Sequence, residues 1–155
     1  LPESQLDRFM IKLSMGYPDV ESEISILKKE NQGTLESVQG IISMTDLQVM
    51  QDLSTKLFVD DSIFRYISEF VGVSRNSEWV TLGISPRGAK ALLKVARAKA
   101  FMKGKEYVTV DDVVEIMAPV AAHRLVLSPR AKAEGLTETE VLEKLRKEVN
   151  IPVRR

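Results

Sequence analysis

Apolar positions recur at helical spacing along most of this chain, and the period changes only near its start. Leu1 to Phe9 predicts the end of a short helix, with Pro2 suited to a first-turn position. From Phe9 to Met15 apolar residues alternate with small or polar ones, the pattern of a half-buried strand. A lone strand leaves its backbone groups unpaired, so its sheet is expected to lie outside these residues. After Gly16-Tyr17-Pro18 the pattern turns helical and stays so. A helix is predicted from about Asp19 to Glu30, ending towards Gly33. The polar connection from Gly33 to Ser43 carries Val38, Ile41 and Ile42 and is expected to dock as an extended segment.

Helix starts and stops punctuate the remainder. Thr45-Asp46-Leu47-Gln48 reads as a capping box, opening a helix with Leu47, Met50, Leu53, Leu57 and Phe58 near one face. Asp60 is placed to cap the next helix, whose stripe of Ile63, Phe64, Ile67, Phe70 and Val71 is expected to stop at Gly72. Ser85-Pro86 is an N-cap followed by a first-position proline, and the helix behind it runs to about Lys103 before Gly104. Ala89, Leu92, Leu93, Ala96 and Ala100 follow its repeat, small enough for close packing. Thr109 to Asp112 starts a helix through Met117, which Pro119 kinks or restarts. Thr137 to Glu140 opens another, with Val141, Leu142, Leu145 and Val149, and Pro152 stops it. The expected fold class is mainly α: a five- or six-helix bundle behind one short helix and one orphan strand.

Composition narrows the function classes. A chain of 155 residues can bury a core without metal or disulfide, and it contains no cysteine. Twenty-two basic residues balance 22 acidic ones, which argues against a dedicated nucleic-acid binder. No apolar run reaches the roughly 18 residues of a membrane span, and no basic-then-apolar leader opens the chain. Because it opens on Leu1 rather than Met, the chain is expected to begin inside a longer protein.

Most groups that resemble catalytic apparatus have an ordinary structural reading. His123 is the sole histidine, and one histidine without clustered ligands makes no metal site; it reads as structural or surface. Asp60-Asp61 and Asp111-Asp112 sit at helix starts, where carboxylates stabilise the positive end of the dipole. Lys103-Gly104-Lys105 lacks the spacing of a phosphate loop, and no GxSxG elbow occurs. Two arginines stand apart. Arg87 lies in the first turn after Ser85-Pro86, where a cation is unfavourable by roughly 0.3–1 kcal/mol unless an anion is brought to it. It either meets phosphate there, pairs with an acid, or points to water. Arg8 lies where the first helix hands over to the strand. From such a corner it can reach a neighbouring subunit's phosphoryl group, or it can pair with Asp7, Glu3 or solvent.

Both arginines fall in recognisable segments. Leu1-Pro2-Glu3-Ser4-Gln5-Leu6-Asp7-Arg8-Phe9 closely resembles the LPEAQLDRF signature that closes the ATPase core of MoxR-type AAA+ proteins. Leu82-Gly83-Ile84-Ser85-Pro86-Arg87-Gly88 resembles the LGASPRA motif of that family's lid, and Tyr107 to Val113 its YVTPDDV segment. His123-Arg124-Leu125 is similar to the family's HR(I/L) turn, and Ile151-Pro152-Val153 to its tail. The motifs agree in order and spacing from residue 1 to 153. Ser4, Ile84, Gly88 and Val110 depart from the pattern, and neither arginine is touched.

The resemblance implies that residues 1–16 are a remnant of an α/β ATPase core and 17–155 a helical lid. It makes Arg8 an arginine finger acting in trans and Arg87 the second sensor on its own subunit's phosphates. It further implies ATP and Mg²⁺ in the intact parent, a cytoplasmic, hexameric ring, and chaperone-like work on clients that often carry a von Willebrand factor A domain. The phosphate loop and Mg²⁺ ligands of such a protein belong to its P-loop core, and no GxxxxGK[ST] loop occurs in these residues, so the chain alone is expected to be inactive. Residues 1–15 are expected to lie loose without their sheet, or to pair with another copy. The alternative is a stand-alone helical interaction or adaptor domain with no nucleotide role; a DNA-binding module around Arg87 to Lys105 is disfavoured by the neutral charge.

Overall fold

The computed structural model describes residues 2–28 and 38–152. A one-turn helix, α1 (Glu3–Leu6), is followed by α2 (Val20–Lys28), α3 (Met44–Lys56) and α4 (Asp61–Asn76). A short strand, β1 (Val80–Leu82), leads into α5 (Pro86–Met102), α6 (Val110–Glu115) and α7 (Met117–Ala121). The 3₁₀ turn Ala122–Arg124 precedes β2 (Val126–Leu127), α8 (Pro129–Ala133) and α9 (Glu138–Lys147). The fold is mainly helical. None of the described helices is long and apolar enough to cross a membrane.

Local chemistry sets most of the boundaries. Thr109 and Thr137 each form a full capping box, with Asp112 and Glu140 reaching back. Asp60 caps α4 by accepting from the Ser62 amide at 2.9 Å, and Ser85 caps α5 by accepting from the Gly88 amide at 3.1 Å. Gly104, at φ 68°, supplies the left-handed residue that turns the chain after α5. As expected around Pro119, the helix restarts: α6 and α7 meet at Ile116.

The core is assembled around α5, which packs against α3, α4, α6 and α7 while α9 closes over α4 and α7. Tyr66 and Phe70 from α4, Leu92, Ala96 and Ala100 from α5, Val113, Val120, Val141 and Leu145 are all buried. Each large apolar side chain so placed contributes about 1.5–3 kcal/mol. β1 and β2 pair antiparallel, Val80 opposite Leu127 and Leu82 opposite Val126. Trp79, just before β1, is covered by the Arg130 guanidinium at 4.5 Å and the Lys144 ammonium at 5.3 Å from its ring centre.

Several expectations are corrected. The N-cap of α3 is Ser43, not Thr45. The Asp46 carboxylate accepts from both the Ser43 amide and hydroxyl, and a charged acceptor at the positive helix end outcompetes the neutral Gln48 amide. The α4 helix runs past Gly72 to Asn76, because burial of Ser74 and the bonds it makes outweigh the roughly 1 kcal/mol cost of glycine in a helix. Val38, Ile41 and Ile42 do not dock: Ile41 is 96% exposed. Neither α2 nor α3 buries a residue completely, and Met50 and Leu53 stay half-exposed. The predicted end of α2 at Glu30 to Gly33, the start of the connection after it, and Val153 lie outside the described residues.

Residues 9–15 form no ladder; the backbone is irregular there, since no strand lies alongside it. Nor do residues 7–12 hang loose. They are bound to the helical bundle by groups described next.

Candidate functional site

The N-terminus of α5 is positioned from below by α4. Buried Ser74 donates its hydroxyl to the Val71 carbonyl at 2.7 Å and accepts from the Ile84 amide at 3.0 Å. Arg75 Nε donates to the Ile84 carbonyl at 2.9 Å. At Gly83 the backbone comes so close that a Cβ would stand 2.6 Å from the Ser74 carbonyl oxygen. With residues 83 and 84 thus fixed, Ser85 and Pro86 start the helix in one orientation, and Arg87 projects from its first turn. Arg87 is exposed and makes no hydrogen bond or ion pair with the described residues.

The turn after α1 is bound to the same place. The Asp7 carboxylate accepts from the Ser85 hydroxyl, with oxygen–oxygen distances of 2.9 and 3.0 Å. It also lies 3.2 Å from Arg124 Nε, whose side chain is only 2% exposed. The Arg124 fork then satisfies the irregular N-terminal backbone. Nη2 donates to the carbonyls of Phe9 at 2.6 Å and Asp7 at 3.3 Å, and Nη1 donates to Met10 at 3.3 Å and to Val120. One further bond runs from the Lys12 amide to the Pro119 carbonyl at 2.8 Å. A buried guanidinium pairs well here because its planar donors meet one carboxylate and several carbonyls together. Removing Asp7 would leave a buried charge without its counter-ion, which costs about 3–5 kcal/mol.

Arg8 follows Asp7 directly. Its side chain is exposed and, like that of Arg87, has no hydrogen bond or ion pair with the described residues. Among the described residues, then, neither of the two arginines singled out in the sequence has a partner; along the chain Arg8 follows Asp7 and Arg87 lies two residues after Ser85. Burial lowers the Arg124 pKa, Asp7 opposes this, and Arg87 is near enough to add to the lowering. The joint thus gathers the cations Arg8, Arg87 and Arg124 around Asp7, a local positive excess inside a chain of zero net charge.

His123 is structural, as expected. Its Nε2 is 2.7 Å from Arg124 Nη1 and 3.0 Å from the Phe9 carbonyl. With its proton on Nε2 the imidazole donates to the Phe9 carbonyl, and with Nε2 unprotonated it accepts from Arg124. Burial, chiefly, holds the imidazole pKa below 6.5. The carboxylate at Asp112 is likewise structural: it accepts from the Thr109 amide and hydroxyl and from Lys105 Nζ at 2.8 and 2.9 Å. That gives Lys105 a partner within the fold.

Sequence reasoning missed the Asp7–Ser85–Arg124 joint. One signal was present: Arg124 interrupts the apolar run from Val120 to Leu127, and an arginine in such a run needs a buried partner.

A profile of the AAA lid domain matches residues 73–145. The chain is 38% identical to the uncharacterized protein YeaC of Bacillus subtilis, covering 100% of this chain and 49% of YeaC. It is 32% identical to Chaperone MoxR1 of Mycobacterium tuberculosis, over 98% of this chain and 42% of that protein. A crystal structure from Cytophaga hutchinsonii, of a protein assigned as an ATPase, superposes with a TM-score of 0.86 at 32% identity, covering 99% of this chain and 49% of that one. The chain thus spans about half the length of the curated relatives it matches.

Proposed function

This chain belongs to the MoxR-type AAA+ ATPases, and on that premise we propose that it is the lid that reads the nucleotide state of a ring-forming ATPase. Arg87 reaches from α5 to the phosphates of ATP held by its own subunit's P-loop core. Arg8 is the arginine finger offered to the neighbouring subunit. Residues 1–16 end the core and 17–155 form the lid. The observation that supports the reading is the pair of exposed guanidinium groups, without a partner among the described residues, next to the part-buried Asp7–Ser85 bond, each available to an anion from outside the chain.

Phosphate binding at Arg87 draws mainly on its charge, because in the first turn of α5 Pro86 has no N–H and the Gly88 amide is taken by the Ser85 hydroxyl, which leaves the Arg87 amide to add to it. A finger at Arg8 works by stabilising the charge of the transferring phosphoryl group. In this reading Mg²⁺ would be held by ligands of the P-loop core; among the described residues no three or more His, Cys, Asp or Glu groups converge. ATP hydrolysis is accordingly assigned to the full-length protein in a cytoplasmic ring. Its product is chaperone-like remodelling of partner proteins, including those with von Willebrand factor A domains.

The test is phosphate release by the full-length ATPase. Arg8→Ala is expected to lower kcat by about 10³-fold or more, and mixing with subunits that keep Arg8 but cannot bind ATP restores part of it. Arg87→Ala weakens ATP binding in the same subunit. Hydrolysis at the normal rate by Arg8→Ala would remove the finger assignment. Unchanged nucleotide affinity in Arg87→Ala would remove the sensor.

A further inference from the structure

We propose that α2 of one copy of this chain docks into the groove between α4 and α5 of a second copy, an apolar stripe flanked by carboxylates entering an apolar channel flanked by cations. The inference goes beyond the roles given to Arg8 and Arg87 and does not depend on them.

The docking helix is incomplete on its own. α2 has nine residues and buries none of them, and a helix that short is marginal in water unless a packed face supports it. Val20, Ile24 and Leu27 stand at i, i+4 and i+7, so they share one face, and all three are exposed. A rotation of about 100° per residue sets Glu23 on one side of that stripe and Glu21 on the other. Both carboxylates are exposed and have no partner among the described residues.

The receiving groove has the opposite character. It encloses about 380 Å³ between α4 and α5, with Ile67, Val71, Ala89 and Leu93 as its apolar lining. One cation stands on each wall, Arg75 on α4 and Lys90 on α5, and among the described residues no carboxylate lines the groove. Arg75 engages only its Nε, on the Ile84 carbonyl at 2.9 Å. Its Nη groups, like Lys90 Nζ, have no partner among the described residues. Two cations facing each other across the groove therefore match two carboxylates on either side of one stripe. That is the arrangement of an amphipathic helix laid in an apolar groove, with charge fixing its direction. No residue of α2 lines the groove of its own chain, which leaves that groove to another copy. Because α2 and the groove are different surfaces, each copy offers one and accepts the other. A head-to-tail contact of this kind builds a ring when its rotation closes.

The experiment uses the full-length protein, with subunit association followed by sedimentation in the presence and absence of ATP. Lys90→Glu reverses the charge of one wall, and Glu21→Lys with Glu23→Lys reverses that of α2; all three side chains are exposed. Each change is expected to weaken association by about tenfold or more, and combining them in one chain to restore most of it. A second measurement mixes copies carrying Ile24→Cys with copies carrying Ser68→Cys, a small exposed residue of the groove. Mild oxidation is expected to link the two copies, with no such product from either alone. Unchanged association in both charge variants, or no link between mixed copies, would overturn the contact and leave Arg8 and Arg87 untouched. A disulfide that forms only when both cysteines share a chain would also overturn it, because α2 would then fill its own groove. Should the combined charge variant fail to recover, the mixed cross-link decides.

Discussion

Ile84 and Gly88 fill one space between them: a Cβ on Gly88 would stand 2.6 Å from Ile84 Cγ2 and 2.9 Å from Arg124 Cδ. The family motif LGASPRA has alanine at both positions, so the two departures from it compensate. Ile84 is fully buried and its methyl takes the volume that an alanine at 88 would need. Gly88→Ala alone is expected to destabilise by about 1–3 kcal/mol through overpacking. Ile84→Ala alone should cost about 2–5 kcal/mol. The double variant, which restores the motif, is expected to lose clearly less than the sum, and chemical denaturation of the four proteins measures the coupling. Additive losses would show that the two side chains do not share the space.

The role proposed for Arg87 sets stability against function. As an exposed cation in the first turn of α5, Arg87 opposes the helix dipole. Arg87→Glu is expected to stabilise the nucleotide-free protein by about 0.3–1 kcal/mol and, if the proposed sensor role holds, to abolish the gain in melting temperature expected from ATP in the full-length protein. Loss of stability without nucleotide would mean that Arg87 has a partner in the fold.

Gly83 is required by the approach of backbone to backbone rather than by an unusual φ. Gly83→Ala drives a Cβ into the Ser74 carbonyl and the Arg75 backbone, neither of which can swing aside. A loss of about 3 kcal/mol or more is expected. Exchange should rise at the Ile84 amide, whose partner is Ser74 Oγ. An alanine variant as stable as wild type would contradict the packing.

Acid should loosen the molecule in two separate windows. The His123 pKa lies below 6.5, principally through burial, with Arg124 and Lys12 lowering it further against Phe9 and Asp7. A depressed histidine contributes stability that is complete above 6.5 and is lost as pH falls from there through the folded value. The Lys12 amide is expected to exchange faster, after correction for intrinsic rates, as pH drops from about 7.5 to 5.5, and His123→Gln should flatten that dependence. Asp112 responds lower down. Burial alone would raise its pKa, but Lys105 and Thr109 together hold it below 3.8, so its contribution is lost only as pH falls beneath that value. A melting temperature independent of pH between 7.5 and 5.5, with unchanged Lys12 exchange, would exclude the histidine step.

What could be read from the sequence was what lies within three or four residues. The caps at Asp60, Ser85, Thr109 and Thr137 and the restart at Pro119 were visible because each is settled by a side chain and an amide on the same turn. At the start of α3 the sequence pattern pointed to Thr45 and Gln48, whereas Ser43 and the Asp46 carboxylate form the cap, a choice that spacing alone does not reveal. β1 and β2 are three and two residues long, too short for any alternation to show. Arg8 and Arg87 stood out by position, one at a helix-to-strand corner and one as a cation in a first turn, and the resemblance to known motifs supplied the roles expected of them. The joint between them was beyond reach for a plainer reason: Asp7 meets Ser85 across 78 residues and Arg124 across 117. Pairs so distant along the chain leave no periodic trace.

Trp79 gives the protein a native optical probe. It is the sole tryptophan, and its ring lies beneath two cations supplied by α8 and α9. Emission colour and quenching should therefore track whether these last two helices remain seated against β1, without any label being attached.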